Sequence, residues 1–167
     1  MFIFGGYAEC AIPPNFSDLS KFRDVPDNQE IFHNTETDEA IIIEFLEYQK
    51  IDDLESAQFH FEEITKENRS DYFRILDISN HNEEQISPFL RQHSNFVSSC
   101  SGEQKMLRNG RVCEVFIKLF VVRVKKVATD IVISVNGPIS EKESCADVLN
   151  DVVSEFRVRD WDLFKSV

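Results

Sequence analysis

A chain of 167 residues that is 42% apolar, holds fifteen phenylalanines and has only five glycines and five prolines carries material for one domain with a real core, which excludes a disordered or low-complexity chain. Its formal net charge of −12 is concentrated, because Asp24 to Glu63 holds thirteen carboxylates against the single base Lys50, which accounts for the whole excess. Lys105, Arg108, Arg111, Lys118, Arg123, Lys125 and Lys126 form an opposing basic block, and the dominant negative field argues against nucleic acid and for a basic protein partner.

In chain order, Tyr7–Pro13 alternates, with Ala8, Cys10 and Ile12 against Tyr7, Glu9 and Ala11, which predicts a strand stopped by Pro13-Pro14. Ser17–Phe22 opens like a short helical turn. Pro26-Asp27-Asn28-Gln29-Glu30 reads locally as a turn, because proline pre-sets φ and Asp and Asn side chains bond nearby backbone. A strand follows at Gln29–His33, then a hairpin connection at Asn34–Glu39 and an apolar strand at Ala40–Gln49. Asp52 and Asp53 open a helix whose inner face is Leu54, Ala57, Phe61 and Ile64.

Asn68 to Ser94 shows no clear period, and Ser87-Pro88 marks a break within it. Two long strands, Asn95–Leu107 and Arg111–Lys126, flank Asn109-Gly110, the dipeptide that favours a type I′ hairpin turn. Thr129–Asn136 is a further strand ending at Gly137-Pro138. Cys145, Val148, Leu149, Val152, Val153 and Phe156 recur at threes and fours, so Ser144–Arg157 is an amphipathic helix. The expected class is α+β, a mostly antiparallel sheet sandwiched between helices, in a single domain over residues 1–167.

Cys10, Cys100, Cys113 and Cys145 lack CxxC or metal-like spacing, and the first residues lack a basic leader, so reduced thiols in the cytosol or nucleus are expected. Ile117–Val127 is too broken by charge to cross a bilayer, so no membrane insertion is expected. His60 sits beside Glu62 and Glu63, but Ile64 occupies the i+4 position that an HExxH site needs. Ser98–Gly102 (SSCSG) is not a nucleophile elbow, and Gly5-Gly6 is too short to cradle a phosphate. No catalytic, metal or cofactor site is expected.

The chain also carries FGG at Phe4–Gly6, VPDNQEIF at Val25–Phe32, IIIEFLE at Ile41–Glu47, FHFEEI at Phe59–Ile64 and TDIVISVNGP at Thr129–Pro138, in that order. This combination resembles the Ran guanine-nucleotide release factor family, the Mog family of nuclear-import proteins. The resemblance runs from Phe4 to the RDWDLF end (Arg159–Phe164) and is weakest over Asn68 to Gln104. It implies a PsbP-like fold with an antiparallel sheet of about six strands between helices. It also implies binding to the GTPase Ran and release of its guanine nucleotide without hydrolysis by this protein. A monomer without cofactor, found in the nucleus and cytoplasm and with other nuclear-transport proteins as further partners, is expected, since nothing in the sequence requires more than one copy.

The family's PD-x-Q-E motif maps onto Asp27 and Glu30, with Asn28 and Gln29 between them and Asp24 just before. On this reading Asp27 and Glu30 form the centre of the contact, while Asp24, Glu36, Asp38 and Glu39 speed encounter through their field. The alternative is an acidic adaptor that docks a basic trafficking or transport partner and leaves nucleotide exchange unchanged.

Overall fold

The computed structural model describes residues 1–81 and 86–165. In chain order the strands are β1 (Phe2–Ile3), β2 (Ala8–Glu9), β3 (Ser17–Asp18), β4 (Gln29–Asn34), β5 (Glu39–Glu47), β6 (Tyr72–Asn80), β7 (Phe96–Arg108), β8 (Arg111–Val124), β9 (Thr129–Pro138) and β10 (Arg157–Val158). The helices are α1 (Ser56–Glu67), the single turn α2 (Pro88–Arg91) and α3 (Lys142–Glu155). An antiparallel sheet runs β3-β4-β5-β9-β8-β7-β6, six long strands plus the two-residue β3, and β1, β2 and β10 pair in a small second sheet.

Strand alternation divides the core between the two faces of the main sheet. Phe32, Ile41, Ile43, Ile131 and Ile133 pack on one side with Leu149, Val152 and Val153 of α3. Ile117, Leu119, Val121 and Val132 pack on the other with Ala57 and Phe61 of α1. Each such fully buried aliphatic or aromatic side chain contributes about 1.5–3 kcal/mol. The β7–β8 hairpin forms as its dipeptide requires, because Asn109 (φ 51°) and Gly110 (φ 77°) both take the left-handed conformation of a type I′ turn.

Several local expectations shift. The alternating Tyr7–Pro13 stretch pairs only at Ala8–Glu9, because beyond it Cys10 bonds the first residue of the chain and Pro13 begins a turn closed by Phe16. Leu54 lies 59% exposed, outside the inner face of α1. Asp52 caps a 3₁₀ turn, Asp53–Glu55, and three residues per turn set Leu54 out of phase with the helix that follows. His60 and Thr65 complete the buried face instead. β9 continues through Gly137-Pro138, with Pro138 opposite Val115 at its last pair. The unread middle holds edge strand β6 and α2.

The basic block also loses a member to the interior. Arg123 is fully buried, where its Nε donates to Asp130 Oδ1 at 3.1 Å and its Nη1 reaches Asp53 Oδ1 at 2.9 Å and the Ile51 carbonyl at 3.1 Å. Its Nη2 bonds the Gln49 carbonyl, and the Tyr48 ring lies 4.0 Å beneath the guanidinium. The whole connection from β5 to α1 is thereby fastened to β8 and β9. All four cysteines are free, and burial raises the Cys10 and Cys100 thiols to about 12, which makes them poor nucleophiles.

Candidate partner-binding site

Backbone bonds at both ends shape the acidic turn. The Pro26 carbonyl accepts from the Gln29 amide at 3.0 Å, which closes a four-residue turn with Asp27 and Asn28 at its corners. Asn28 is clamped to β5 by two bonds to one residue: its carbonyl accepts from the Phe45 amide at 3.0 Å, and its Nδ2 donates to the Phe45 carbonyl at 3.1 Å. Asp24, Pro26, Asp27 and Asn28 are all exposed. The ion pairs of the described residues include no cation for Asp24 or Asp27. Asp27 is therefore a charged corner on a fixed backbone.

The next two motif residues enter β4, where alternation separates them. Gln29 stands opposite Glu44 and donates to its Oε1 at 2.8 Å. Glu30 points to the other face and accepts the Phe4 amide on Oε1 at 2.6 Å. That bond holds Phe4 at a positive φ of 50°, with its ring stacked on Phe45 at 4.2 Å between centroids. Burial raises the Glu30 pKa, the Phe4 amide partly offsets this, and nearby Asp18 adds to the rise. Glu44 is raised as well, mainly by burial and against the lowering effect of Gln29.

The expected residues thus fall into two groups. Asp24, Asp27 and Asn28 belong to one exposed turn, whereas Gln29 and Glu30 are half-buried on opposite faces of the strand below it. The expected field carriers after β4 mostly do other work, at a hairpin roughly 17 Å along that strand from the turn. Glu39 is 2% exposed and accepts Ser144 Oγ on both oxygens at 3.1 Å, so it anchors the start of α3 and does not face solvent. Asp38 is already paired with His33 at 2.9 Å and Arg108 at 3.0 Å. Glu36 alone of these three is exposed without such a pair.

Phe4 and Phe45, which brace the turn from below, carry no signal in the local pattern beyond belonging to FGG and to an apolar strand. Only β5 pairing reveals that Phe45 holds Asn28. Beside the turn, on the Gln29 face, Arg23, Ile31, His33, Asp38, Ile42 and Arg108 line part of a cleft of about 440 Å³. Among the described residues no group of three or more His, Cys, Asp or Glu side chains is arranged to hold a metal ion, and no helix is long and apolar enough to cross a membrane. A rigid, unpaired carboxylate corner suits docking of a cationic surface.

Comparison with known proteins adds independent findings. Residues 2–138 match the family described as Ran-interacting Mog1 protein. The Ran guanine nucleotide release factor of Danio rerio is 31% identical over 147 residues, covering 82% of this chain and 76% of that protein. Nuclear import protein MOG1 of Saccharomyces cerevisiae is 28% identical, covering 97% and 83%. The crystal structure of the Saccharomyces cerevisiae Ran-binding protein Mog1p superposes with a TM-score of 0.76 at 26% identity, covering 98% and 96%. Cyanobacterial PsbP from Synechocystis shares the fold alone, with a TM-score of 0.57 at 10% identity over 95% and 90% of the two chains.

Proposed function

This chain belongs to the Ran-interacting Mog1 protein family, and from that premise we propose that it grips Ran through Asp27 and Glu30, with Asp24, Asn28 and Gln29 completing the contact. The protein binds Ran and promotes release of its bound guanine nucleotide, in support of nucleocytoplasmic protein transport. The observation that carries the site is the exposed Asp27, unpaired on a turn that Asn28 ties to Phe45 by two hydrogen bonds. Glu30 contributes through Oε2, since Oε1 holds the Phe4 amide.

Release follows from differential affinity. A small GTPase holds its nucleotide through Mg²⁺, a lysine and backbone donors around the phosphates. A partner that binds the emptied or distorted site better than the loaded one shifts the equilibrium by that difference alone. Fixed carboxylates meet this need by pairing with cationic groups of the GTPase that otherwise serve the nucleotide. On this reading the protein is non-catalytic, a single domain, and resident in nucleus and cytoplasm where Ran is met.

The test is to load Ran with labelled GTP or GDP, add the protein, and follow label loss beside Asp27→Ala and Glu30→Ala. Accelerated loss that weakens in both variants supports the assignment. Variants that bind Ran as tightly as the parent overturn it, and binding without any change in label loss would leave an adaptor.

A further inference from the structure

The assigned contact residues are all polar or charged, which leaves the surface without an apolar anchor. Binding energy at protein interfaces concentrates in a few large side chains, aromatic ones above all, that fill pockets and shield neighbouring charge pairs from water. Just before the acidic turn the chain presents such a group. Phe22 is 77% exposed, more than any other large apolar side chain among the described residues. From Ser20 to Asn28 every residue except Val25 is exposed, so Phe22 shares one continuous surface segment with Asp24 and Asp27.

Its presentation is also fixed. Phe22 ends the 3₁₀ turn Leu19–Lys21, and its amide bonds the Leu19 carbonyl at 3.0 Å. Arg23 bonds the same carbonyl at 3.2 Å. Asp18 caps the turn, accepting from Ser20 N at 2.9 Å and Ser20 Oγ at 2.6 Å. The neighbouring Arg23 lines the cleft beside His33 and Arg108, whereas Phe22 stays open to water. A phenyl ring held in solvent on a capped turn adds little to the core, and a partner that covers it gains most of its apolar area.

We propose that Phe22 is the apolar anchor of the Ran-binding surface and inserts into an apolar pocket of the GTPase rimmed by basic side chains. The ring would expel water from around Asp27, which strengthens the adjoining charge pairs. This rests on the assignment of the acidic turn to the same interface, with which Phe22 is continuous.

The experiment measures Ran association and dissociation by surface-immobilised kinetics for the parent, Phe22→Ala, Phe22→Leu and Asp27→Ala at two ionic strengths. Phe22→Ala is expected to weaken binding about 30-fold or more, chiefly by faster dissociation. The factor should not fall at the higher salt concentration, because apolar burial is not screened and a charge pair opened to water is screened more; Phe22→Leu should recover part of it, and thermal stability should not change. Asp27→Ala should instead show a salt-dependent loss. If Phe22→Ala binds like the parent while Asp27→Ala is weakened, the anchor is wrong and the acidic turn stands. If both bind like the parent, both assignments fall. If only Phe22→Ala is weakened, the anchor stands and the carboxylate assignment fails.

Discussion

Arg123 Nε and Asp130 Oδ1 lie 3.1 Å apart with neither side chain exposed to solvent, and the other oxygen of Asp130 lies 2.9 Å from His60 Nε2. One carboxylate on β9 thus joins β8 to α1, and through Arg123 it also holds the Gln49 and Ile51 carbonyls. Burying such charges is costly unless each is paired and hydrogen-bonded, and here every partner is in place.

Removing Arg123 leaves Asp130 buried with its main cation gone. Arg123→Met should destabilise the fold by about 3–5 kcal/mol, a fall in Tm on the order of 10 °C. Arg123→Met with Asp130→Asn should recover part of that loss, because the one carboxylate left without its cation, Asp53, is partly open to solvent. Thermal unfolding followed by circular dichroism checks both, and a Tm within a degree of the parent for Arg123→Met would contradict the buried network.

Gly102 is required by close approach and not by backbone angle. A Cβ there would lie 2.5 Å from both the Arg74 carbonyl oxygen and Phe61 Cζ. Gly102→Ala should cost about 2–3 kcal/mol by forcing β6 and α1 outward. Adding Phe61→Leu should relieve the ring clash but not the backbone one. The urea midpoint reports the difference.

Glu44 sets a pH dependence. Its pKa is raised on folding, so the folded state binds more protons than the unfolded one as pH rises from about 4.5 towards the raised value. Stability attributable to this group is therefore present below that window and lost as pH climbs through it. Glu44→Gln keeps an acceptor for Gln29 and removes the loss. The variant should gain on the parent across the window and hold a constant advantage above it, as measured by chemical denaturation at successive pH values.

Asp27 and Glu36 should separate contact from field. Asp27→Ala should weaken Ran binding by about 2–5 kcal/mol, mostly in the off-rate, with no change in Tm because the side chain is exposed. Glu36 lies beyond the far end of β4, farther than the Debye length of about 8 Å at physiological salt. Glu36→Gln should slow association only at low ionic strength. Stopped-flow association at two salt concentrations distinguishes them.

Local pattern was enough for what is periodic or stereochemically forced. The alternating runs of β4, β5 and β9, the threefold and fourfold recurrence along α3, and the Asn109-Gly110 turn each depend on neighbours within a few residues, and each stands within two residues of where the sequence expects it. The ordered motifs from FGG to TDIVISVNGP also marked the family before any coordinates. Position across the sheet lies outside that reach. Arg123 counted as one more surface base until β8, β9 and the β5–α1 connection closed around it. Glu39 and Asp38 counted as free field charges until α3 and the β7–β8 hairpin claimed them. Composition and spacing determine which side chains a chain can offer, whereas solvent access, and with it the strength of every charge, is decided by strands far apart in sequence. That is why the acidic block was legible as a block, but only tertiary packing distinguished the open corner at Asp27 from the half-buried Glu30 beneath it.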